Sequence, residues 1–197
     1  MLHGEVSIQV AVYGGSFNPP HVVHAMVSSW LLWTGKVEKV LLVPVYQHAF
    51  EGIQDKTLAP FQTRLDWCQC MTTDVDARIQ VSDVESQLPS PSYTIDTLRF
   101  LAKTHPEDRF RIVIGADVLP QLSEWKNWEA IQQEFAPIVV GRAGYPIPDE
   151  AVVFPGVSSS EIRRRVRQGS KVSHLVTRNV AAALKTQPTV FGHGNDG

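Results

Sequence analysis

Cysteine is nearly absent: only Cys68 and Cys70 occur in 197 residues. Two apart on a helix-like stretch, they face different ways, and no further cysteine completes a zinc set. A disulfide framework and a thiolate metal site are thereby excluded, and a reduced, cytoplasmic protein is expected. No apolar run approaches the about 20 residues of a membrane span, and no charged-then-apolar leader opens the chain. Charge of one sign is lacking too, with 18 Lys+Arg against 20 Asp+Glu and a net charge of −2. A nucleic acid is therefore not an expected partner, and any basic site must be local. Neither Gly-x-x-x-x-Gly-Lys-Ser/Thr nor Gly-x-Gly-x-x-Gly occurs, so neither a P-loop nor a dinucleotide-oxidoreductase fingerprint is supported. His3, His48, His105, His174 and His193 show no metal-ligand spacing, and no protein-held metal is expected.

What is present is ordinary globular composition, 43% apolar and 19% charged, in a length suited to one domain with a full core. Apolar β-type runs recur near 6–13, 38–45, 78–81, 110–115, 136–141 and 151–154, with helix-like stretches between most of them. Phe61, Leu65 and Cys68 follow Pro60 at helical spacing, with the proline expected in the first turn. Ser92 is expected to cap a helix carrying Ile95, Leu98 and Ala102 on one face. Val172, Leu175, Val176, Val180, Ala183 and Leu184 predict an amphipathic helix from about Ser170. The alternation predicts an α/β fold: a Rossmann-like, doubly wound, mainly parallel sheet with helices on both faces, spanning 1–186. His48–Ala59 and Gln87–Pro91 read as irregular loops, and residues 187–197 as a frayed tail.

The most informative stretch is Gly14-Gly15-Ser16-Phe17-Asn18-Pro19-Pro20-His21-Val22-Val23-His24. It follows the first β-type run and precedes an apolar-rich segment, so it reads as strand, glycine-rich turn and helix start. Glycines let a backbone approach an anion closely, and a helix N-terminus offers N–H groups and partial positive charge. His21 and His24, at i and i+3, share one face of the first turn and can donate to phosphate oxygens.

A second stretch is Val157-Ser158-Ser159-Ser160-Glu161-Ile162-Arg163-Arg164-Arg165. Ser158 and Glu161 have capping-box spacing. Three hydroxyls at a helix start with Arg163 one turn in also suit a polyphosphate, while Arg164, Arg165 and Arg167 read equally as a solvated face. Gly115-Ala116-Asp117 closes the fourth run, where Asp117 suits either ribose hydroxyls or an N-cap. Trp125 and Trp128 suit either core filling or stacking on a flat heterocycle. Ser92-Tyr93-Thr94 suits a cap or a carboxylate held by free N–H groups. In doubly wound sheets, ligands bind at the carboxyl ends of the strands near the point where strand order reverses. Gly14, Gly115 and Gly141-Arg142 all close β-type runs and are expected to converge on one crevice.

Together these motifs resemble the nucleotidyltransferases related to class I aminoacyl-tRNA synthetases. Ser92-Tyr93-Thr94-Ile95-Asp96-Thr97-Leu98, Gly115-Ala116-Asp117 and Trp125 narrow the resemblance to bacterial nicotinate mononucleotide adenylyltransferases, over about residues 8–185. The resemblance implies transfer of AMP from ATP to a pyridine mononucleotide, with Mg²⁺ bound through the ATP phosphates. It implies catalytic roles for His21, His24 and Arg163, and ATP contacts from Gly14, Gly15, Ser16, Phe17, Asn18, Gly115, Asp117, Ser158, Ser159 and Ser160. Ser16, Phe17, Tyr93, Thr94, Trp125 and Arg142 would meet the acceptor. Three departures stand out. Val23 replaces a glycine common before the second histidine, and Ser160 replaces a usual threonine. The loop after the second strand reads Pro44-Val45-Tyr46-Gln47-His48-Ala49-Phe50 where many relatives have Pro-Pro-His-Lys. Nicotinamide mononucleotide, another phosphorylated acceptor, or a non-catalytic nucleotide-binding role are the alternatives. No apolar stripe indicates a homo-oligomer.

Overall fold

A computed structural model describes residues 7–47, 58–146, 151–187 and 189–192. Six strands, β1 (Gln9–Gly15), β2 (Lys39–Pro44), β3 (Ile79–Val81), β4 (Arg109–Gly115), β5 (Ile138–Arg142) and β6 (Val153–Phe154), form one sheet in the order 3-2-1-4-5-6. Every neighbouring pair is parallel. Each of the six β-type runs in the sequence became a strand, and the doubly wound parallel sheet is the observed fold. Strand order reverses between β1 and β4, so the turn after Gly15 and the turn after Gly115 open side by side at the carboxyl edge.

Side-chain alternation along β1 explains the two layers. Ala11 points into a core shared with α1 (Val22–Trp33), α2 (Phe61–Val75), α5 (Ser159–Arg167) and α6 (Arg178–Thr186), where Leu31, Trp67, Ile162 and Val180 are buried. Val10 and Val12 point to the opposite face, against Ile95, Leu98 and Leu101 of α3 (Thr94–Thr104) and Ile131 and Phe135 of α4 (Trp128–Phe135). Such period-2 and period-3.6 burial is what fixes register, because a slip of one residue would expose each strand's apolar set.

Three local expectations differ from the structure. Ser92 does not cap α3: Tyr93 is the N-cap, and the Ser92 hydroxyl instead donates to Glu85 at 3.1 Å. Helix α6 starts at Arg178, not Ser170. Val172–Leu175 is a turn, and its Leu175 carbonyl accepts the Val22 N–H at 2.9 Å. That N–H belongs to the first turn of α1 and has no intrahelical acceptor, so the turn satisfies it from outside. The tail expected from Gln187 remains docked to Phe191, whose ring packs 5.5 Å from Trp67 and whose carbonyl accepts from Arg167. Most of the loop expected at His48–Ala59 (residues 48–57), and the residues His3, His48 and 193–197, lie outside the described residues. No helix is long and apolar enough to cross a membrane among those described.

Candidate active site

Residues 14–20 join β1 to α1 as a loop whose carbonyl oxygens are held from outside. Gly15 accepts from Val45 N–H, Ser16 from Arg64 Nη1 at 3.0 Å, Asn18 from Arg163 Nη1 at 3.0 Å, and Pro19 from Ser159 Oγ at 2.8 Å. Phe17, between two of these carbonyls, adopts a left-handed conformation (φ 44°) that non-glycine residues rarely take. Its buried ring packs edge-on to Tyr13 and lies 3.4 Å from where a side chain on Gly15 would begin.

At the helix start, His21 is the N-cap, and its backbone N–H donates to Nδ1 of His24 at 3.0 Å. The two rings stack with centroids 3.7 Å apart, and Phe17 flanks His24 at 4.8 Å. Because Nδ1 of His24 accepts, the proton of the neutral ring sits on Nε2, which becomes a donor. Burial, reinforced by the nearby Arg142, lowers the His21 pKa to about 4. Burial also holds His24 well below the ordinary histidine value, with His21 and Arg142 adding to the effect. Both imidazoles are therefore neutral at neutral pH. Nδ1 of His21 is buried without a hydrogen-bond partner, which is costly unless a ligand or solvent supplies one.

A cavity of about 500 Å³ opens over this helix start, within the size range of small-molecule sites. Gly14, Gly15, Ser16, His21 and His24 line it. Gly115 and Asp117 line the adjoining wall, where Asp117 pairs with Arg142 at 2.5 Å. A Cβ at position 115 would stand 2.5 Å from an Asp117 carboxylate oxygen, so a side chain there would make that carboxylate shift. Tyr93, Thr94 and Trp125 line it too, with Trp125 edge-on to Trp128 at 6.1 Å.

Not every candidate residue lines this cavity. Phe17 and Asn18 are buried beneath the loop, 2% and 1% exposed. Ser159 and Arg163 grip the loop's second half, and the Ser158 and Ser160 hydroxyls are engaged within α5. Ser158 caps α5 by accepting the Glu161 N–H, and Arg163 donates to both the Asn18 carbonyl and the Ser160 hydroxyl. Glu161 does not close the reciprocal half of a capping box, because it pairs with Arg164 and Arg165.

Sequence reasoning missed four participants. Tyr13 packs on His24 at 5.7 Å. Glu85, a partly buried carboxylate in the cavity wall, accepts from Tyr46 N–H at 3.0 Å and from Ser92, and burial raises its pKa. Lys126 lies 4.5 Å over the Tyr93 ring and pairs with Asp96. Arg64, the most deeply buried charge, stands behind the loop. None belongs to a short motif, and only a carboxylate close before Ser92-Tyr93-Thr94 gave any signal. Elsewhere, His105, Glu107 and Asp108 bring ligand atoms within 4.8 Å of one another in an exposed turn, a grouping their sequence spacing did not suggest.

A glycine-rich turn, paired neutral histidines and a cavity at the switch point give a nucleotide-binding α/β domain. The chain belongs to the cytidylyltransferase-like family, whose pattern matches residues 12–165, and within it to the nicotinate-nucleotide adenylyltransferases. It is 39% identical to a protein of Anaeromyxobacter sp. strain K named "probable nicotinate-nucleotide adenylyltransferase", over 87% of this chain and 91% of that one. It is 36% identical to a protein of the same name from Myxococcus xanthus, over 86% and 88%. The fold matches Plasmodium falciparum nicotinic acid mononucleotide adenylyltransferase complexed with NaAD, with a TM-score of 0.77, 19% identity and coverage of 92% and 97%.

Proposed function

We propose that this protein transfers the adenylyl group of ATP to nicotinate mononucleotide, forming deamido-NAD⁺ and pyrophosphate in NAD biosynthesis. The observation that carries the reading is the stacked His21–His24 pair at the start of α1, opening on a cavity that Tyr93, Thr94 and Trp125 also line. The names of its relatives support the choice of acceptor.

The chemistry follows from the groups present. The acceptor's 5′-phosphate is already anionic at neutral pH. One of its oxygens attacks the α-phosphorus in line as the bond from that phosphorus to the bridging oxygen breaks, and pyrophosphate leaves with the electron pair. No protein nucleophile is required, so the chain's work is positioning and charge stabilisation. His24 Nε2–H donates to an α-phosphate oxygen where charge builds, and His21 supports it. A neutral donor suits this task because it needs no proton transfer. Gly14, Gly15 and Ser16 bring backbone close to the phosphates; Phe17 and Asn18 shape the loop from beneath. Ser158, Ser159, Ser160 and Arg163 meet the β and γ phosphates by exchanging their present bonds to the loop and within α5.

Gly115 and Asp117 meet the ATP sugar. Trp125 stacks on the pyridine ring, Tyr93 and Thr94 hold its carboxylate through the first N–H groups of α3, and Arg142 closes the same crevice. Mg²⁺ supplies charge neutralisation of the polyphosphate. The donor set fits an ion held by phosphate oxygens rather than a protein cage, because the cavity carboxylates Glu85 and Asp117 are already engaged.

The test is mass-spectrometric product analysis with ATP, Mg²⁺ and equal nicotinate and nicotinamide mononucleotides. Deamido-NAD⁺ is the expected dominant product. Dominant NAD⁺ overturns the acceptor assignment, and neither product overturns the activity.

A further inference from the structure

Arg64 is 1% exposed, yet among the described residues no carboxylate accepts a hydrogen bond from it. Its Nε donates to the Ala59 carbonyl at 3.0 Å and its Nη1 to the Ser16 carbonyl at 3.0 Å, while its guanidinium lies 5.5 Å from the Phe61 ring. Arg163 is likewise buried, bound to the Asn18 carbonyl and Ser160 rather than to an acid. Two buried guanidinium groups therefore sit behind one loop bound to backbone carbonyls, with no contacting anion among the described residues, although the field of Glu85 reaches Arg64. A buried charge with no contacting counter-ion is disfavoured even when hydrogen-bonded, so this is a poor arrangement for stability alone. Burial pulls both guanidinium pKa values down, in keeping with that cost.

The two arginines also bracket the left-handed Phe17, holding the carbonyls on either side of it. A strained residue persists only where its surroundings over-determine it. With the Ser16 and Asn18 oxygens drawn toward the arginines, the negative ends of those peptide dipoles point away from the crevice. On the adenylyl-transfer reading, on which this inference rests, we propose that Arg64 is a positioning residue for the polyphosphate. It holds the Ser16 peptide so that the loop turns its positive side to the ligand, and its buried charge is compensated when the phosphates bind in front. It touches neither substrate.

The test uses full-length Arg64→Lys and Arg64→Met. Both are expected to melt cooperatively, while kcat/KM for ATP falls about tenfold or more, as loss of a hydrogen bond to a charged group implies. The acceptor KM is expected to stay within about twofold, a split that general loosening would not give. Millimolar pyrophosphate should raise the wild-type melting temperature and raise that of Arg64→Met less. Folded variants with wild-type kcat/KM for ATP, or with ATP and acceptor KM rising together, would overturn the proposal. Should neither variant fold, the wild-type protein decides. Its Arg64 Nε–H resonance must shift when pyrophosphate is added, and a fixed resonance beside responding histidines sinks the idea. A wild-type protein inactive on ATP and nicotinate mononucleotide would instead sink the functional reading, leaving the pyrophosphate response to be judged separately.

Discussion

Two helix N-termini flank the loop at residues 14–20, and they are dressed differently. At α1 the polar groups face the cavity: His21 has a buried nitrogen with no partner, and His24 presents a donor fixed by its own bond. At α5 they face the protein: the Ser158, Ser159 and Ser160 hydroxyls and Arg163 are all occupied by bonds within the chain. On the proposed reading the first terminus serves a ligand whose charge develops during reaction, since a preorganised donor costs no rearrangement at that moment. The second must trade existing bonds for ligand bonds, which suits groups that bind before the reaction. Substitutions at α1 should therefore act on turnover, and those at α5 on affinity or stability.

The largest effect is expected at α1. His24→Ala should lower kcat by about 10²–10³-fold, the usual cost of one lost oxyanion donor, with ATP affinity changed far less. Steady-state kinetics paired with calorimetric ATP binding checks this, and unchanged turnover would remove His24 from the chemistry. The same pair governs acid stability. The folded His21 pKa is depressed to about 4 from 6.5, so the unfolded chain binds more protons between those values. Its contribution is fully present above pH 6.5 and is lost as pH falls toward 4, amounting to about 3 kcal/mol. His21→Asn, which keeps a good N-cap, should flatten the wild-type fall in melting temperature across that window.

A milder change is expected elsewhere in the cavity. Trp125→Ala should raise the acceptor KM about tenfold, the worth of one ring stack, and leave the ATP KM alone. If both constants are unmoved, Trp125 returns to plain packing against Trp128. Smallest is Ser159→Ala, which removes the bond to the Pro19 carbonyl and should cost about 1 kcal/mol in urea unfolding with kcat preserved. A kcat loss as large as that of His24→Ala would erase the distinction between the two termini.

Much of this was legible in the chain. The six β-type runs carried the sheet because parallel strands, covered on both faces, are near-continuous apolar stretches. Gly14–His24 carried the loop and helix start because glycine, proline and histidine each have a local reason to stand there. What stayed hidden depends on long-range partners. Nothing near Arg64 in sequence says that its guanidinium reaches Ser16, 48 residues away. Nothing around Leu175 says that its carbonyl is claimed by Val22 and ends a helical pattern. Ser92 looked like a cap because it precedes the helix, but Glu85 captured its hydroxyl. The serine run and Arg163 read as a phosphate site by composition, whereas in the folded chain their polar groups are engaged by the loop and by α5 itself.

The account rests most heavily on a neutral His24 carrying its proton on Nε2. Nitrogen NMR of histidine-labelled protein at neutral pH, before and after ATP, measures this directly. The prediction is an unprotonated Nδ1 and a protonated Nε2 in the free protein, with the Nε2 signal shifting on binding ATP. A charged ring, or a proton on Nδ1, in the free protein would contradict it.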